Sequence, residues 1–127
     1  MDLISPEKLS PDGRFAVGFN HFEMRMSHWV DAPVLFEVEN QRVLLDLRGT
    51  FWSADRVEWV PDGPSVTLNL RRYPGDKPGA TLVVYLLSGE AEALAVGTIA
   101  HLALAEVENW LEAYYQSGSR RRQKGGA

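Results

Sequence analysis

The sequence contains no cysteine among its 127 residues. Disulfide bonds and thiolate zinc sites are therefore excluded, and we expect the chain to work in a reducing compartment, the cytoplasm. No apolar run approaches the roughly 18 residues that a membrane-spanning helix needs. The first residues show neither the basic nor the apolar region of a secretory leader, so we expect no export.

Motifs for catalysis and cofactor binding are also missing. The sequence has no glycine-rich phosphate loop, no dinucleotide fingerprint and no nucleophile elbow, so we expect no cofactor and favour a protein that is not an enzyme. Only three histidines are present. His21, Glu23 and His28 are the one set with metal-ligand spacing, but strand alternation puts His28 on the opposite face. We therefore predict no metal site and keep these three residues as an alternative ligand set.

The charge is distributed unevenly along the chain. The net charge is −4, from 13 basic and 17 acidic residues, and four of the basic residues lie at positions 120–124. Residues 1–119 therefore have nine basic against 17 acidic side chains, a net charge of −8. Such a body repels nucleic acid and favours a basic partner. Segment 117–127 has no large apolar side chain, so we predict a disordered basic tail there.

Apolar and polar residues alternate from residue 14 to residue 96, which is typical of β-strands with one buried face. We count about eight such strands, joined by short turns. The apolar positions change from odd to even near Asn20–His21, which predicts a bulge or a sharp bend. Asp31-Ala32-Pro33 predicts the end of that strand.

From residue 98 to residue 115 the apolar period becomes helical. The stripe consists of Ile99, Leu102, Ala103, Val107, Trp110 and Tyr114. We predict an amphipathic helix over 98–115, with Thr98 as its N-cap, that covers an open face of the sheet. Residues 1–116 are then one domain of the mainly β class, an antiparallel meander capped by one C-terminal helix.

Two stretches of the sequence are similar to each other. Ser10-Pro11-Asp12-Gly13 recurs as Val60-Pro61-Asp62-Gly63, and the hairpin pattern of 34–47 recurs at 82–95. This resembles the blade repeats of β-propellers that carry a Ser-Pro-Asp-Gly turn, over most of residues 9–96. Two blades cannot close a propeller, which needs at least about four. We therefore expect two blade-like units in a sandwich or a twisted sheet.

Segment 22–29 is the most unusual part of the sequence, because it combines aromatic residues, methionines and alternating charges. Methionine, tryptophan and arginine are common at protein interfaces. Outside this segment, Trp52 and Tyr73 lie at strand ends or in loops, where a partner can reach them. The predicted partner-contact residues are Glu23, Arg25, His28, Trp29, Trp52, Asp55, Tyr73 and Asp76.

The small size, the acidity and the missing chemistry resemble those of the immunity proteins that neutralise bacterial toxins. This resemblance implies a non-enzymatic bacterial protein that covers a basic target, with acidic groups steering association. Two alternatives stay open. One is a small-ligand- or metal-binding β domain with hydrolytic activity at His21, Glu23 and His28. The other is a structural module that forms a homodimer through open sheet edges.

Overall fold

The computed structural model describes residues 3–60, 64–73 and 78–125, with backbone alone for Ser27 and 117–125. The chain forms two antiparallel sheets and then a helix, α1, over Val107–Gly125. The first sheet contains β1 (Lys8–Leu9), β2 (Phe15–Met24), β3 (His28–Glu37) and β4 (Arg42–Asp46). The second contains β5 (Trp52–Trp59), β6 (Ser65–Arg72), β7 (Ala80–Tyr85), β8 (Glu90–Ala95) and β9 (Thr98–Ala103). In both sheets the strands follow chain order, so the predicted mainly β meander with a C-terminal helix is confirmed.

Side chains from both sheets and from α1 meet in one hydrophobic core. Its fully buried members include Val17, Leu35, Leu47, Trp52, Leu68, Leu82 and Leu111. A 3-10 turn before the helix, Leu104–Glu106, contacts both β4 and β9, the last strands of the two sheets. The helix therefore closes the core between the sheets, and each buried side chain of this size contributes about 1.5–3 kcal/mol.

The segment predicted as the first turns of the helix is a strand. β9 pairs with β8 along its whole length, and α1 begins only at Val107. Val96 and Gly97 form the two-residue turn between these strands with φ of 22° and 74°, the positive values that a type I′ hairpin requires. The prediction of a helix from Thr98 was wrong because so short an apolar segment fits both periods, and the hairpin turn decides between them.

The helix extends further than predicted. Its backbone is helical as far as Gly125, where a disordered tail was predicted over 117–127. The arginines and the lysine of this segment are good helix formers, which compensates for the glycine and serines before them. No helix in the described ranges is both long and apolar enough to span a membrane.

Strands β2 and β3 form a long hairpin without any register shift. The bulge predicted at Asn20–His21 is therefore wrong. The apolar positions change parity because the odd-numbered face, which Val17 directs at the main core, loses its cover after Phe19. The even-numbered face stays covered, from Ala16 in a second buried cluster to Phe22 against Phe51. The predicted break at 31–33 is also wrong. The carbonyl of Pro33 accepts a hydrogen bond from outside β2, so its nitrogen also points away from that ladder.

The other strands of the first sheet flank only part of this hairpin. β1 pairs with Ala16 and Val17, and β4 pairs with residues 34–37. Beyond them β5 lies beside β3, where Ser53 Oγ accepts a hydrogen bond from the Asp31 N–H at 2.9 Å. Residues Phe22–Val30, which we call the hairpin end, thus extend past the other strands of their own sheet.

Candidate functional site

The turn of the hairpin end exposes a methionine. Arg25–Ser27 form a single 3-10 turn, in which Met26 has φ of 62°. This left-handed conformation costs a residue with a Cβ atom about 1–2 kcal/mol. The Met26 side chain is 89% exposed and gains nothing from the core. Folding alone favours glycine or asparagine in such a position.

Four rings cover the even-numbered face of the hairpin end, and we call them the aromatic cluster. The ring centroids of Phe22 and Phe51 are 6.4 Å apart, and those of Phe51 and Tyr73 are 6.5 Å apart. Tyr73 in turn lies 5.8 Å from the His28 ring. These spacings are usual for tilted and edge-to-face pairs. The Tyr73 N–H donates to the Phe51 carbonyl at 2.9 Å, which continues the pairing of β5 with β6 into the cluster.

Arg72 connects the aromatic cluster to α1. Its guanidinium lies 5.5 Å from the Phe51 ring and 4.1 Å from the Tyr115 ring. It donates hydrogen bonds to the Tyr73 carbonyl at 3.0 Å and to the Glu112 carboxylate at 3.4 Å. Because the Arg72 side chain is only 17% exposed, its contacts with the two rings are partly shielded from water. Arg72 therefore holds the Phe51 ring in place through its contacts with α1.

The odd-numbered face of the hairpin carries a tryptophan among charged residues. Trp29 is 54% exposed and lies directly across from Glu23. Next to this pair, His21 Nδ1 is 2.7 Å from the Asp31 carboxylate, and His21 Nε2 is 3.0 Å from the Glu7 carboxylate. The hydrogen bond to Asp31, followed by that to Glu7, raises the pKa of His21. His21 thus links Glu7, the residue before β1, to the hairpin, and more strongly when the ring is protonated.

His21 is not arranged to bind a metal or to act as a base. Both ring nitrogens contact carboxylates, so neither directs a lone pair at a metal or a substrate. The alternative ligand set is not assembled either, because the register puts His21 and Glu23 on one face and His28 on the other. Within residues 3–60, 64–73 and 78–125, no three histidine or acidic side chains are grouped to hold a metal ion.

Most of the predicted contact residues come together at one end of the molecule. Those at the hairpin end or in the aromatic cluster are Glu23, Arg25, His28, Trp29 and Tyr73. The prediction of Trp52 as a contact residue was wrong. Its side chain is 1% exposed and belongs to the core, so a partner cannot reach it. Neighbouring residues of an extended chain point to opposite sides, and Phe51, 42% exposed, takes the outward position.

Two predicted residues do not join this site. Asp55 lies at the bulge of β5, where its carboxylate is 3.0 Å from the Arg71 guanidinium, and no described contact links it to the hairpin end. Asp76 lies outside the described residues. The predicted contact residues did not include Phe22, Met26, Phe51 or Arg72. The parity change after Phe19 pointed to Phe22, whereas the role of Arg72 depends on a helix forty residues later and leaves no local signal.

Comparisons with known proteins give no information on the function of this chain. No protein-family model, curated protein or solved structure matches the chain. Function must therefore be argued from the hairpin end and the aromatic cluster.

Proposed function

We propose that this is a non-enzymatic partner-binding protein and that the hairpin end is its contact surface. The observation that carries the proposal is Met26, a large apolar side chain that is 89% exposed in a left-handed backbone conformation. Trp29, which is 54% exposed, lies three residues away. Neither exposure helps folding, and apolar anchors of this kind are typical of interfaces. Backbone strain at an exposed turn is also found preferentially at functional sites.

The aromatic cluster supports the proposal because it makes the surface rigid. Phe51 is 42% exposed, and the Arg72 guanidinium behind it is itself held by Glu112. A surface whose side chains are already fixed loses little conformational entropy on binding. The cluster therefore provides a preorganised apolar platform near the exposed Met26.

The charge of the chain supports a basic partner. Residues 1–119 have a net charge of −8. Among the lysine and arginine side chains that the structure describes, Lys8 and Arg25 form no ion pair. The acidic side chains without an ion pair to a described residue are Asp12, Glu23, Glu39, Glu90, Glu106 and Glu108. This excess of unpaired acidic groups would speed association with a basic surface, so the form we propose is an immunity-type inhibitor of a basic bacterial toxin.

The test is affinity capture of partners from a host lysate at low and high salt, followed by mass spectrometry. Three immobilised proteins are compared: wild type, Trp29→Ala and Leu87→Ser. Leu87 is the matched control, since it is 74% exposed but follows β7 at the end of the second sheet opposite to Arg72. We expect one basic protein to be retained by wild type and by Leu87→Ser, and to be lost at high salt.

Binding of the purified protein to its captured partner can then be measured. Trp29→Ala should raise the dissociation constant by about 30-fold, the loss of affinity typical of a central interface anchor. High salt should lower the association rate more than it raises the dissociation rate. Equal retention of the basic protein by Trp29→Ala would place the contact elsewhere, and an empty capture at both salt concentrations would remove the proposal.

A further inference from the structure

The last strand of the second sheet has an open edge. β9 pairs with β8, and no other described strand lies along its outer side. The Leu104 N–H donates to the Gly89 carbonyl at 3.2 Å, and this bond sets the alternation of the ladder. Counting from it, the even-numbered residues of β9 direct their backbone groups at β8. The odd-numbered residues Ile99 and His101 direct theirs away from it.

One of the outward groups is already used within the chain. The Ala103 N–H donates to the Glu106 carboxylate at 2.8 Å, so that side chain occupies the edge beyond His101. The N–H and carbonyl groups of Ile99 and His101 have no partner among the described residues. They form a short, self-complementary series of donors and acceptors.

Before Ala103, where Glu106 occupies the edge, β9 lacks the protection that edge strands usually have. Residues 98–103 include no charged residue and no proline, and Ile99 and Val96 are 60% and 71% exposed. Natural edge strands are usually blunted by such residues or by bulges. The outer strands of the first sheet follow that rule, since β1 carries Lys8 and β4 carries Arg42. In an acidic protein, an uncharged edge lets a second copy approach with little like-charge repulsion.

We propose that two copies of this chain pair through β9, antiparallel, about a two-fold axis at Ala100. Ile99 of each copy then faces His101 of the other, and each pair exchanges two backbone hydrogen bonds. The Ala100 methyl groups meet at the non-hydrogen-bonded position, where side chains approach closely and small ones fit. A register centred on His101 would instead press Glu106 against the partner strand.

The expected dimer is weak, because its interface is small. Pairing along one short strand buries on the order of 1,000 Å², the lower end of specific interfaces. It uses a surface separate from the hairpin end, so its success or failure does not bear on partner binding. Sedimentation velocity over a wide concentration range should show a monomer that converts to a dimer.

Ile99→Pro is the decisive variant. It removes only an N–H that points away from β8, so circular dichroism should stay as in wild type. The dimer loses two of its four hydrogen bonds and leaves two carbonyls unpaired, and we expect its dissociation constant to rise at least about 100-fold. The control, Ile99→Val, keeps the N–H and the branched side chain and should dimerise like wild type.

Amide hydrogen exchange of the wild-type protein tests the register without any substitution. At high protein concentration the Ile99 and His101 amides should exchange slowly, and on dilution they should exchange at least about 10-fold faster. The Ala100 and Leu102 amides, bonded to β8, should stay protected at both concentrations. The proposal is overturned by a monomer at every concentration, by a dimer that survives Ile99→Pro, or by concentration-independent exchange at Ile99 and His101.

Discussion

Among single residues, His21 is the one whose protonation the structure couples most directly to stability. Its two ring nitrogens contact Asp31 on the neighbouring strand and Glu7 before β1. These contacts favour the charged ring and raise its pKa above the ordinary value. The proton is therefore bound more tightly in the folded chain than in the unfolded chain, and stability must depend on pH.

We expect the free energy of unfolding to fall as pH rises. Because the folded pKa of His21 is raised, its contribution is complete below the ordinary value of about 6.5 and is lost as pH passes through the folded pKa. The three side chains are partly exposed, so solvent screening limits the effect to about 0.5–1 kcal/mol. Urea unfolding at a series of pH values from about 5.5 to 9 measures it.

The matched comparison for this pH effect is His21→Gln against His28→Gln. The first should flatten the dependence of stability on pH. The second removes a ring in contact with Tyr73 rather than with a carboxylate, and it controls for the loss of a histidine ring from the hairpin. Retention of the full dependence in His21→Gln would mean that other groups cause it.

For single residues, part of the candidate site could be predicted from the sequence, but not how its side chains pack. Glu23, Arg25, His28 and Trp29 were predicted as contact residues because they are close in the chain, and a hairpin keeps near neighbours together. The choice between Phe51 and Trp52 could not be made, since alternation states that one of two adjacent side chains points inward but not which one. That choice depends on the core beneath β5, which the local sequence does not contain.

At the scale of secondary-structure elements, the turn of the β2–β3 hairpin combines strain with exposure. Met26→Gly should raise the free energy of unfolding by about 0.5–1 kcal/mol, because glycine adopts the left-handed conformation without the Cβ penalty, although it gains entropy in the unfolded chain. Thermal unfolding measures the change. The same variant should bind the captured partner more weakly. A lower stability instead would show that Met26 packs against the fold.

The turn between β8 and β9 offers a second gain in stability. Val96 has φ of 22° and is β-branched, which is a conformational outlier, and it precedes a glycine that suits a type I′ turn. Val96→Asn creates the preferred Asn-Gly sequence and should raise the free energy of unfolding by about 1 kcal/mol. The control, Val96→Ile, keeps the branch and should bring no gain. An equal gain in both variants would contradict a conformational cause.

The same turn explains why the element over 98–103 could not be predicted. Ile99, Leu102 and Ala103 fit the first turn of an amphipathic helix as well as they fit a strand. The helix and the strand differ in whether the chain reverses at Val96-Gly97. Because it does, residues 98–103 can form backbone hydrogen bonds with β8. The part of α1 over 107–115 was predicted, since Val107, Trp110 and Tyr114 continue the stripe over about two turns.

At the scale of the whole molecule, α1 holds the two sheets in one core. Leu111 is fully buried in the cluster that both sheets share. Leu111→Ala should lower the free energy of unfolding by about 2–5 kcal/mol, from lost apolar contact and the remaining cavity. Glu108→Ala, on an exposed position of the same helix, should change it by less than about 0.5 kcal/mol.

The measurement for this prediction uses two probes, tryptophan fluorescence and far-ultraviolet circular dichroism, during urea unfolding. Because Trp52 lies in the shared core, both transitions should move together to lower urea in Leu111→Ala. Separate transitions would show that the two sheets unfold independently and that the helix does not link them.

The mainly β class followed from the alternating pattern, but the arrangement of the sheets did not. In β2 both faces are buried at Ala16 and Val17, but further along only the even-numbered face stays covered, at Phe22. Along the sequence this resembles a slip in register. Only the tertiary structure shows where the cover of the odd-numbered face ends.

The two sheets are also separate in the chain, since one lies within residues 8–46 and the other within 52–103. A ribosome therefore completes the first sheet before any strand of the second exists. At about 5–20 residues per second, the nascent chain spends several seconds with Val17 and Leu35 on an uncovered face. Over that interval the exposed apolar face favours aggregation, so we expect the yield of folded protein to depend on how quickly translation or a chaperone covers it.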